Sequence, residues 1–522
     1  MQLRHSYIRE PGRAATLPER PQSPVGDLLW EAAAAYPSRT ALVYGSERQT
    51  YAELAERAQR LAGGLASRGL GPGDPIALIA PNSPAFVATF FAAAALGAVV
   101  VPLSPQFEEA EIDFYFRECG VRAAIADPKR ANTASRIAAR LDRPIDVIST
   151  GRPSRRTVSL GSLLEAEPLD RREVSPNEDF VFHYSSGSTG RPKRSPRTHR
   201  QLQAEVESLL GAIELQPEDK ILCTIPLVHS YGMGCCLLSA VRSGATLLLD
   251  EAQPLVLRRM RILKLLENEQ VTVFPAVPYV LRLLTETSVP ANLERLRLCL
   301  SAAAALPRST FDAFLDKFGV PIRQLYGCTE TGVITVNTDD DPDATAASVG
   351  RPIDGVELRV VDETGEPSPP GHIGAIGVSS PAMTRGYPGL DDQNRIAFRD
   401  GFFMTGDRGR VDEDGRLFIT GRTKLLIDVR GEKVDPIEVE DVLATHPKVR
   451  EVVVVGVASA IAGEERVKAV IVPEPETPCD ERELVRFCRE RLARYKVPEL
   501  VEFRDEIPKG PSGRTLRKYL VE

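Results

Sequence analysis

The sequence lacks the features that mark secreted, disulfide-stabilised or nucleic-acid-binding proteins. Its 522 residues contain eight cysteines with no CxxC pair and no regular spacing, and Cys235 and Cys236 are adjacent, which excludes an ordinary bridge between them. The formal net charge of −7 argues against a nucleic-acid partner. These absences predict a protein of the reduced cytoplasm.

Long uninterrupted apolar runs are also lacking. The nearest is 85–103, but Gly97 and Pro102 interrupt it and three consecutive valines favour a strand. We therefore expect a buried helix followed by a buried strand rather than a membrane span. Residues 1–24 are polar and have no apolar signal core, so they are expected to form a loose N-terminal arm.

The first third of the chain alternates between helical and strand patterns. Between 50 and 68 the apolar residues recur at helical spacing, Thr50 and Glu53 form a capping box, and Gly69 ends the helix. The other elements expected here are strands at 41–44, 76–79, 98–102 and 122–125 and helices at 85–96 and 108–118. This alternation predicts parallel sheets covered by helices.

The rest of the chain predicts further domains, because 522 residues are too many for one compact core. A polar connection at 149–178 leads to a second alternating series at 201–330. The segment 350–420 has short glycine-rich strands, and from 430 the pattern is a small α+β unit with strands at 451–457 and 467–472 and a helix at 481–492. The acidic run 339–343 is expected to be a solvated loop rather than a metal site.

The predicted fold class is therefore α/β. A large N-terminal domain of stacked, helix-covered β-sheets carries a β-rich subdomain, and a small mobile α+β domain follows it. The expected boundaries are 1–24 for the arm, 25–422 for the N-terminal domain and 423–522 for the C-terminal domain.

The most informative segment is the hydroxyl-rich stretch 184–193. Its glycines let the backbone approach a bulky anion, and its hydroxyl and N–H groups can bind phosphate oxygens. Its spacing does not fit the common P-loop, and a Ser/Gly linker is the alternative interpretation. The candidate phosphate-binding residues are Ser185, Ser186, Gly187, Ser188, Thr189, Gly190 and Lys193.

Further motifs follow in a fixed order. They are Gln-Leu-Tyr-Gly-Cys-Thr-Glu at 324–330, Met-Thr-Gly-Asp at 404–407, Thr-Gly-Arg-Thr-Lys at 420–424, Val-Arg-Gly-Glu-Lys-Val-Asp at 429–435 and Pro-Lys-Gly-Pro-Ser-Gly-Arg at 508–514. Taken together, the chain from about residue 25 to its end resembles the acyl-adenylate-forming superfamily. That group includes acyl-CoA synthetases, peptide-synthetase adenylation domains and beetle luciferases.

The resemblance implies an ATP site built from residues far apart in sequence. It implies that Thr329 lies near the α-phosphate and that Glu330 is a ligand of Mg²⁺, which prefers carboxylate and phosphate oxygens. The residues implied to hold the adenosine are Ala303, Ala304, Gln324, Tyr326 and Gly327 around the adenine, and Asp407 and Arg422 at the ribose.

Other positions are implied to serve the acyl group and the thiol. His229 matches a position that lines the acyl pocket and gates thiol entry, although a structural histidine is the alternative. No Asp beside His229 is present to hold an α-ammonium, which favours a plain carboxylic acid. Lys424 corresponds to the interdomain hinge, and Gly431 leaves room for pantetheine, as in CoA ligases.

Two departures from the family pattern stand out. The usual catalytic lysine near the C-terminus is Arg514 here, which keeps the charge but is larger and forked. We expect Arg514 to retain that role in weakened form, with Lys509 and Lys518 as nearby substitutes. Arg194 and Ser195 follow Lys193 where glycine is usual, which is expected to alter only the stiffness of the loop.

The function that these residues predict is that of an acyl-CoA ligase using ATP, Mg²⁺ and CoA. One alternative is an enzyme that loads a carrier protein, for which a basic face could serve, formed by Arg482, Arg486, Arg489, Arg491 and Arg494. The other interpretation of these arginines is an exposed charged helix, in which Glu481, Glu483 and Glu490 are interleaved with them. Another alternative function is that of a nucleotide-binding protein that has lost catalysis, with Arg514 as the lesion.

The acid itself is not fixed by these residues. The predicted pocket segments are 226–234, 274–280, 299–305 and 324–334, which carry little charge, so the acid is expected to be apolar away from its carboxylate. Small residues such as Gly232 and Gly234 predict room for a bulky acyl group.

Overall fold

The computed structural model describes residues 23–107, 109–169, 172–185, 192–250, 255–422, 427–429, 432–459, 465–475, 477, 479–492, 494–510 and 515–521. Two compact units divide the chain. The first comprises Met1–Glu357 and Val378–Phe403, and the second comprises Leu358–Gly377 and Met404–Glu522. The predicted arm falls almost wholly outside the described residues, and the predicted boundary at 422 stays a prediction.

The helices are short to medium in length. They are α1 (Val25–Ala35), α2 (Tyr51–Ser67), α3 (Pro84–Leu96), α4 (Glu109–Cys119), α5 (Pro128–Ala138), α6 (Leu160–Leu163), α7 (His199–Ile213), α8 (Ser239–Ser243), α9 (Leu255–Asn268), α10 (Pro278–Thr285), α11 (Arg308–Phe318), α12 (Asp391–Ala397), α13 (Pro436–Ala444) and α14 (Glu481–Arg489). A π-helical segment, Gly232–Leu238, runs directly into α8.

The strands of the first half are β1 (Thr40–Tyr44), β2 (Glu47–Thr50), β3 (Pro75–Ile79), β4 (Val99–Pro102), β5 (Ala123–Ala126), β6 (Asp146–Ser149), β7 (Val158–Ser159), β8 (Asp179–Ser185), β9 (Lys193–Thr198), β10 (Lys220–Cys223), β11 (Thr246–Leu249), β12 (Val273–Ala276) and β13 (Leu298–Ser301). Those of the second half are β14 (Ile322–Cys328), β15 (Gly332–Val336), β16 (Arg351–Pro352), β17 (Glu357–Val361), β18 (Gly374–Ser379), β19 (Phe398–Arg399), β20 (Phe402–Val411), β21 (Leu417–Arg422), β22 (Ile427–Val429), β23 (Glu432–Val434), β24 (Val449–Ala458), β25 (Glu465–Pro473) and β26 (Leu500–Phe503).

Two large sheets organise the first unit. One has the strand order β16-β15-β14-β13-β12-β10-β11-β1-β2, and the other has the order β7-β6-β5-β3-β4-β8-β9. Their inner strands run parallel, and antiparallel pairs occur toward the ends, such as β1 with β2 and β8 with β9. The α/β class predicted from the alternating pattern is confirmed.

The main core takes side chains from both sheets and from the helices between them. Leu42 and Leu247 come from the first sheet, and Ile76 and Val100 come from the second. Every residue of α3 is buried, which explains why its sequence is apolar on all sides. The helix ends at Gly97 in a left-handed conformation, with φ 76°, and the chain then enters β4.

The prediction of a buried helix and strand at 85–102 is therefore confirmed. None of the helices that the structure describes is both long and apolar enough to cross a membrane. The capping box predicted for α2 is also confirmed. The Thr50 hydroxyl accepts from the Glu53 backbone N–H, and the Glu53 carboxylate accepts from the Thr50 backbone N–H.

The acidic run 339–343 is a loop, as predicted, and arginines hold it. Arg351 pairs with the Asp339 carboxylate at 2.5 Å, and Arg308 pairs with Asp343. In the portion of the chain that the structure covers, no three potential metal-ligating side chains cluster together.

The second unit is β-rich at its start and α+β toward the C-terminus. Strand β21 pairs antiparallel with β20, and β24-β25-β26 form a separate three-stranded sheet. Helices α13 and α14 contribute Val439 and Leu484 to the apolar core against that sheet. The strands predicted at 451–457 and 467–472 are confirmed, and the helix predicted at 481–492 ends at Arg489.

Candidate active site

Four neighbouring strands of the first sheet end at the same edge. Strands β10, β12, β13 and β14 are adjacent and parallel, so the segments that follow them emerge together. Ligands of open α/β sheets bind at the carboxyl ends of such strands. The predicted pocket segments 226–234, 274–280, 299–305 and 324–334 contain the ends of these four strands or follow them directly, and the topology therefore brings them to one edge.

The hydroxyl-rich stretch joins two antiparallel strands of the other sheet. Ser185, the last residue of β8, is the ladder partner of Lys193, the first residue of β9. The stretch is therefore the connection of a β-hairpin, which holds its two ends in fixed register. The candidate phosphate-binding residues Ser186, Gly187, Ser188, Thr189 and Gly190 lie outside the described residues.

Tyr387 connects both ends of this hairpin connection to Glu330. Its hydroxyl donates to Oε1 of Glu330 at 2.7 Å, and Ser185 hydrogen-bonds with the same tyrosine. The ammonium of Lys193 lies 4.8 Å from the centre of the Tyr387 ring, a cation–π contact. Burial and the neighbouring Glu330 carboxylate raise the pKa of Tyr387 far above its usual range, so the phenol stays protonated and donates.

Glu330 is held on its backbone side as well. Its carbonyl accepts from the Thr384 backbone N–H at 2.7 Å, and the Thr384 hydroxyl donates to the Pro196 carbonyl at 2.7 Å. The Glu330 side chain is buried, with 6% exposure, and offers a carboxylate oxygen of the kind that Mg²⁺ prefers. Three of the predicted residues, Ser185, Lys193 and Glu330, are thus brought together through Tyr387.

The predicted adenine residues lie on β14 and after β13. Tyr326 is half-buried, and Gln324 is buried with its amide nitrogen donating to the Ala346 carbonyl at 2.6 Å. Gly327 is exposed and leaves no room for a side chain, because a Cβ there would lie 2.6 Å from the Gly332 carbonyl oxygen. Ala303 has a positive φ of 70°, which is strained for a residue with a Cβ.

Ala303 and Ala304 are both exposed, immediately beyond the carboxyl end of β13. Strained backbone at such an edge is typical of functional sites. The adenine role of these alanines and of Gln324, Tyr326 and Gly327 stays a prediction.

His229 follows β10 and is half-buried. Its Nε2 is buried and has no hydrogen-bond partner among the described residues. Burial lowers the pKa of His229, so the ring is neutral near pH 7. His183 on β8 is buried too, and burial, followed by the nearby Arg197 and His229, lowers its pKa to about 3.

Thr329 is connected to a buried ion pair. Its carbonyl accepts from Nη1 of Arg197 at 3.3 Å. The same guanidinium, on β9, donates through Nη2 to Oε2 of Glu205 on α7 at 2.9 Å. Arg197 is 0% exposed and Glu205 is 4% exposed, so both charges are fully removed from water and depend on each other.

The predicted ribose residues belong to the second unit. Asp407 is buried, its backbone N–H donates to the Thr405 hydroxyl at 3.1 Å, and Arg422 is its ladder partner across β20 and β21. This pairing places the two residues side by side, as their proposed common ligand requires. Lys424, Gly431 and Arg514 lie outside the described residues.

Of the two proposed substitutes for Arg514, Lys509 is engaged elsewhere. Its ammonium pairs with the Glu451 carboxylate at 2.5 Å. Lys518 lies over the ring of Tyr519, 4.8 Å from its centre. A β-bridge between Lys509 and Thr515 fixes the two ends of the segment that carries Arg514.

The glycines of the predicted acyl pocket have a different explanation from the one expected. A Cβ on Gly232 would lie 2.6 Å from the Pro226 carbonyl oxygen, and a Cβ on Gly234 would lie 2.8 Å from Oε1 of Glu205. These glycines admit close neighbours, so they give no support to a bulky acyl group.

Sequence reasoning missed Tyr387, Arg197 and Glu205. Tyr387 lies in a Gly-Tyr-Pro-Gly turn, 57 residues from Glu330, and a turn gives no sign of its partner. Arg197 carried a usable signal, because a charged residue on the inward face of a strand next to the phosphate stretch requires a buried partner.

Two family models match the chain. That of the AMP-binding enzyme covers residues 29–388, and that of the AMP-binding enzyme C-terminal domain covers residues 438–514. Among curated proteins, a feruloyl-CoA synthase of Amycolatopsis sp is 34% identical over 485 residues, covering 92% of this chain and 95% of that protein.

Solved structures are similar to this chain over nearly its whole length. The anthranilate CoA ligase AuaEII in complex with anthranoyl-AMP has a TM-score of 0.87 at 26% identity, covering 96% of this chain and 97% of that chain. ATP-bound MatB from Rhodopseudomonas palustris has a TM-score of 0.86 at 28% identity, covering 95% and 98%.

Proposed function

The chain belongs to the AMP-binding enzyme family, in its acyl-CoA synthetase branch, and on that premise we propose how its own residues serve the two half-reactions. The enzyme is an AMP-forming acid–thiol ligase. A carboxylate oxygen of the acid attacks the α-phosphorus of ATP, which gives acyl-AMP and releases pyrophosphate. The sulfur of CoA then attacks the acyl carbon, and AMP leaves as acyl-CoA forms.

The first half-reaction depends on alignment and charge stabilisation, because the bonds change at the substrates rather than on the protein. We assign the β- and γ-phosphates to the hairpin connection between Ser185 and Lys193. Its fixed register supports this assignment, since both ends meet at Tyr387. Lys193 supplies positive charge there, and the Thr329 hydroxyl is assigned to the α-phosphate.

Glu330 is the residue that fits a magnesium ion. Its carboxylate is buried, Tyr387 fixes one of its oxygens, and no cluster of further carboxylates accompanies it among the described residues. One carboxylate suits Mg²⁺, which usually takes its remaining ligands from phosphates and water. When bound, the ion would neutralise phosphate charge.

For the nucleoside, we assign adenine to Tyr326, Gln324 and Gly327 together with Ala303 and Ala304. The exposed backbone after β13, with its positive φ at Ala303, and the half-buried Tyr326 ring support this assignment. The ribose hydroxyls are assigned to Asp407 and Arg422, whose ladder pairing supports a common ligand.

For the second half-reaction, we assign His229 to the path of the thiol. The ring is neutral near pH 7 because burial lowers its pKa, so it does not add charge to the acyl pocket. Lys424 is the proposed hinge, and Gly431 is proposed to leave space for pantetheine once the C-terminal domain, residues 423–522, has rotated.

Arg514 is proposed to bridge the acyl carboxylate and the α-phosphate in the first half-reaction. The β-bridge between Lys509 and Thr515 supports it, because this pairing fixes the positions of residues on either side of Arg514. If the forked guanidinium acts in weakened form, Arg514→Lys should raise the rate of acid-dependent pyrophosphate exchange and Arg514→Ala should lower it. Unchanged exchange in Arg514→Ala would disprove the role.

The acceptor could also be a carrier-protein thiol. Arg482, Arg486, Arg489, Arg491 and Arg494 are all exposed on α14 and the turn after it, a basic face that suits an acidic carrier. Acyl-AMP that accumulates in the presence of CoA, and is consumed by a phosphopantetheinylated carrier, would favour this alternative.

A cytoplasmic location is proposed with the cysteines as its support. All eight are unbridged, including the buried Cys235 and Cys236, as expected of a reducing compartment.

The observation that carries the assigned roles is the convergence of Ser185, Lys193 and Glu330 on Tyr387. The test is mass spectrometry of the purified chain with ATP, Mg²⁺ and a panel of fatty, aryl and polycyclic acids, with and without CoA. Acid-dependent AMP and acyl-CoA are expected, and Glu330→Gln should reduce both. Full activity of Glu330→Gln would contradict the assigned site, and the absence of any AMP-forming product would favour the catalytically impaired alternative.

A further inference from the structure

The buried pair of Arg197 and Glu205 lies against two segments of the predicted acyl pocket. A Cβ on Gly234 would approach Oε1 of Glu205 to 2.8 Å, and a Cβ on Gly332 would approach Cδ of Glu205 to 2.5 Å. Gly234 lies in the π-helical segment after β10, and Gly332 begins β15. The carboxylate therefore lies against the backbone of both pocket segments. A residue larger than glycine at either position would collide with the Glu205 side chain.

Only one of the two carboxylate oxygens is engaged. Oε2 accepts from Nη2 of Arg197 at 2.9 Å, and Oε1 receives no hydrogen bond from the residues that the structure describes. A carboxylate oxygen inside a protein is a strong acceptor, and leaving it unpaired is unfavourable. A donor from a bound molecule would satisfy Oε1.

Other polar atoms in the same neighbourhood also have unused hydrogen-bonding capacity. Nε of Arg197, both ring nitrogens of His183 and Nε2 of His229 are buried without partners among the described residues. His183 is the ladder partner of Ser195, so it shares a face of the sheet with Arg197, two residues further along β9. Native proteins seldom leave several such atoms unpaired in one place.

The charges of this cluster decide which kind of donor fits. Arg197 and Glu205 neutralise each other, and the two histidines are neutral near pH 7. An ammonium group would add an uncompensated positive charge beside Arg197, which is unfavourable at a buried position. A hydroxyl group donates a hydrogen bond without adding charge.

We propose that Glu205 determines the substrate class by accepting, through Oε1, a hydrogen bond from a hydroxyl group on the acyl part of the acid. The substrates are then hydroxylated acids rather than pure hydrocarbon acids. This inference rests on the proposed acyl site. It refines the expectation that the acid is apolar away from its carboxylate: the acyl group carries one hydroxyl, and the rest of it packs on apolar side chains.

Matched acid pairs test the inference. The pairs are cinnamic and 4-hydroxycinnamic acid, 3-phenylpropionic and 3-(4-hydroxyphenyl)propionic acid, and decanoic and 10-hydroxydecanoic acid, which place the hydroxyl at different positions. The kcat/KM of the hydroxylated member should exceed that of its partner about 10- to 100-fold in at least one pair, because a hydrogen bond to a charged acceptor is lost in the other. Equal values in all three pairs would overturn the proposal.

Variants then assign the preference to Glu205. Glu205→Gln keeps the size and removes the charge, so the preference should fall. Glu205→Met alone would leave the buried charge of Arg197 unpaired and could prevent folding. The double variant Arg197→Met with Glu205→Met avoids this, because it replaces the whole ion pair by apolar residues. In the double variant, the ratio of kcat/KM between the hydroxylated and the hydrocarbon member of each pair should fall to one or below, whatever the change in the absolute rates.

A matched control exists on the same helix. Glu207 and Arg242 form a partly exposed pair at 2.6 Å, and replacing both by Met should leave the preference unchanged. If the double variant of Arg197 and Glu205 still prefers hydroxylated acids to hydrocarbon acids, Glu205 does not determine the substrate class. That result would leave the ligase reaction itself uncontradicted. A wild-type chain that converts no acid to acyl-AMP or acyl-CoA contradicts the proposed acyl site, and the inference with it.

Discussion

The hydroxyl of Tyr387 donates a 2.7 Å hydrogen bond to Oε1 of Glu330, although 57 residues separate them in the chain. The same tyrosine contacts Lys193 through its ring and Ser185 through a hydrogen bond. The proposed magnesium ligand and the proposed phosphate-binding residues are thus connected through a side chain that carries no charge of its own.

Replacing Tyr387 by Phe should weaken the first half-reaction while leaving the fold intact. The ring and its contact with Lys193 remain, but Glu330 loses a hydrogen bond to a charged group, worth roughly 1.5–3 kcal/mol. We expect kcat/KM for ATP to fall about 10-fold or more and the required Mg²⁺ concentration to rise. Acid-dependent pyrophosphate release measures both. Tyr519→Phe, at an exposed tyrosine, is the control, and an unchanged Mg²⁺ dependence in Tyr387→Phe would contradict the connection.

Replacing Lys193 by Ala should affect ATP more than the acid. Removing one positive charge at the proposed β- and γ-phosphate position should lower kcat and raise the KM for ATP, together about 10- to 100-fold. The KM for the acid should change little, because Lys193 is assigned to the other substrate. Lys264→Ala, at an exposed lysine on α9, should be neutral. A larger effect on the acid than on ATP would show that Lys193 serves a different substrate.

Replacing Gly332 by Ala should destabilise the first unit severely. The residue has a φ of 71°, and an added Cβ would lie 2.5 Å from Cδ of Glu205, so backbone strain and overpacking add to each other. Gly319→Ala is the matched control, because its φ is 68° but no atom lies within 4 Å of the added Cβ. We expect about 1 kcal/mol of lost stability for Gly319→Ala and about 3 kcal/mol for Gly332→Ala in urea unfolding. Equal losses would mean that Glu205 moves aside.

Stability should fall with acid through the buried histidines. The pKa of His183 is about 3 in the folded chain and near 6.5 when unfolded, so the unfolded chain binds an extra proton between these values. Stability from this group is therefore complete above pH 6.5 and decreases by about 1.4 kcal/mol per pH unit as the pH falls toward 3.

Urea unfolding of His183→Phe at pH 7.5 and 5.0 checks this expectation. The variant should lose less stability between the two pH values than the parent chain, since it cannot take up that proton on unfolding. His372→Gln, at an exposed histidine, should keep the slope of the parent chain. The same slope in His183→Phe and the parent would exclude His183 as the source.

Much of the fold was predictable because its signals are local. The capping box of Thr50 and Glu53, the all-apolar α3 and the stop at Gly97 each depend on neighbours a few residues away. The predicted strands and helices accordingly agree with the structure to within three residues, and the largest difference is at α14, which ends at Arg489 rather than at 492.

Residues of the candidate site were predictable only where they belong to short sequence motifs. Glu330, Lys193 and Asp407 stand in segments whose order along the chain indicates the family, so their roles could be proposed residue by residue. The same comparison indicated Arg514, Lys424 and Gly431, which lie outside the described residues, so their roles stay predictions.

The sequence by itself determined the α/β class, the family and therefore the reaction, because periodicity, caps and motifs are properties of short stretches of chain. Only the tertiary structure decided that Tyr387 serves Glu330, that Arg197 and Glu205 form a buried pair, and that Gly234 and Gly332 are small because a carboxylate lies against them. The physical reason is that a buried polar group requires a hydrogen-bond partner, and the fold can supply that partner from a distant part of the chain. The spacing of residues along the chain does not show which of them become neighbours in space.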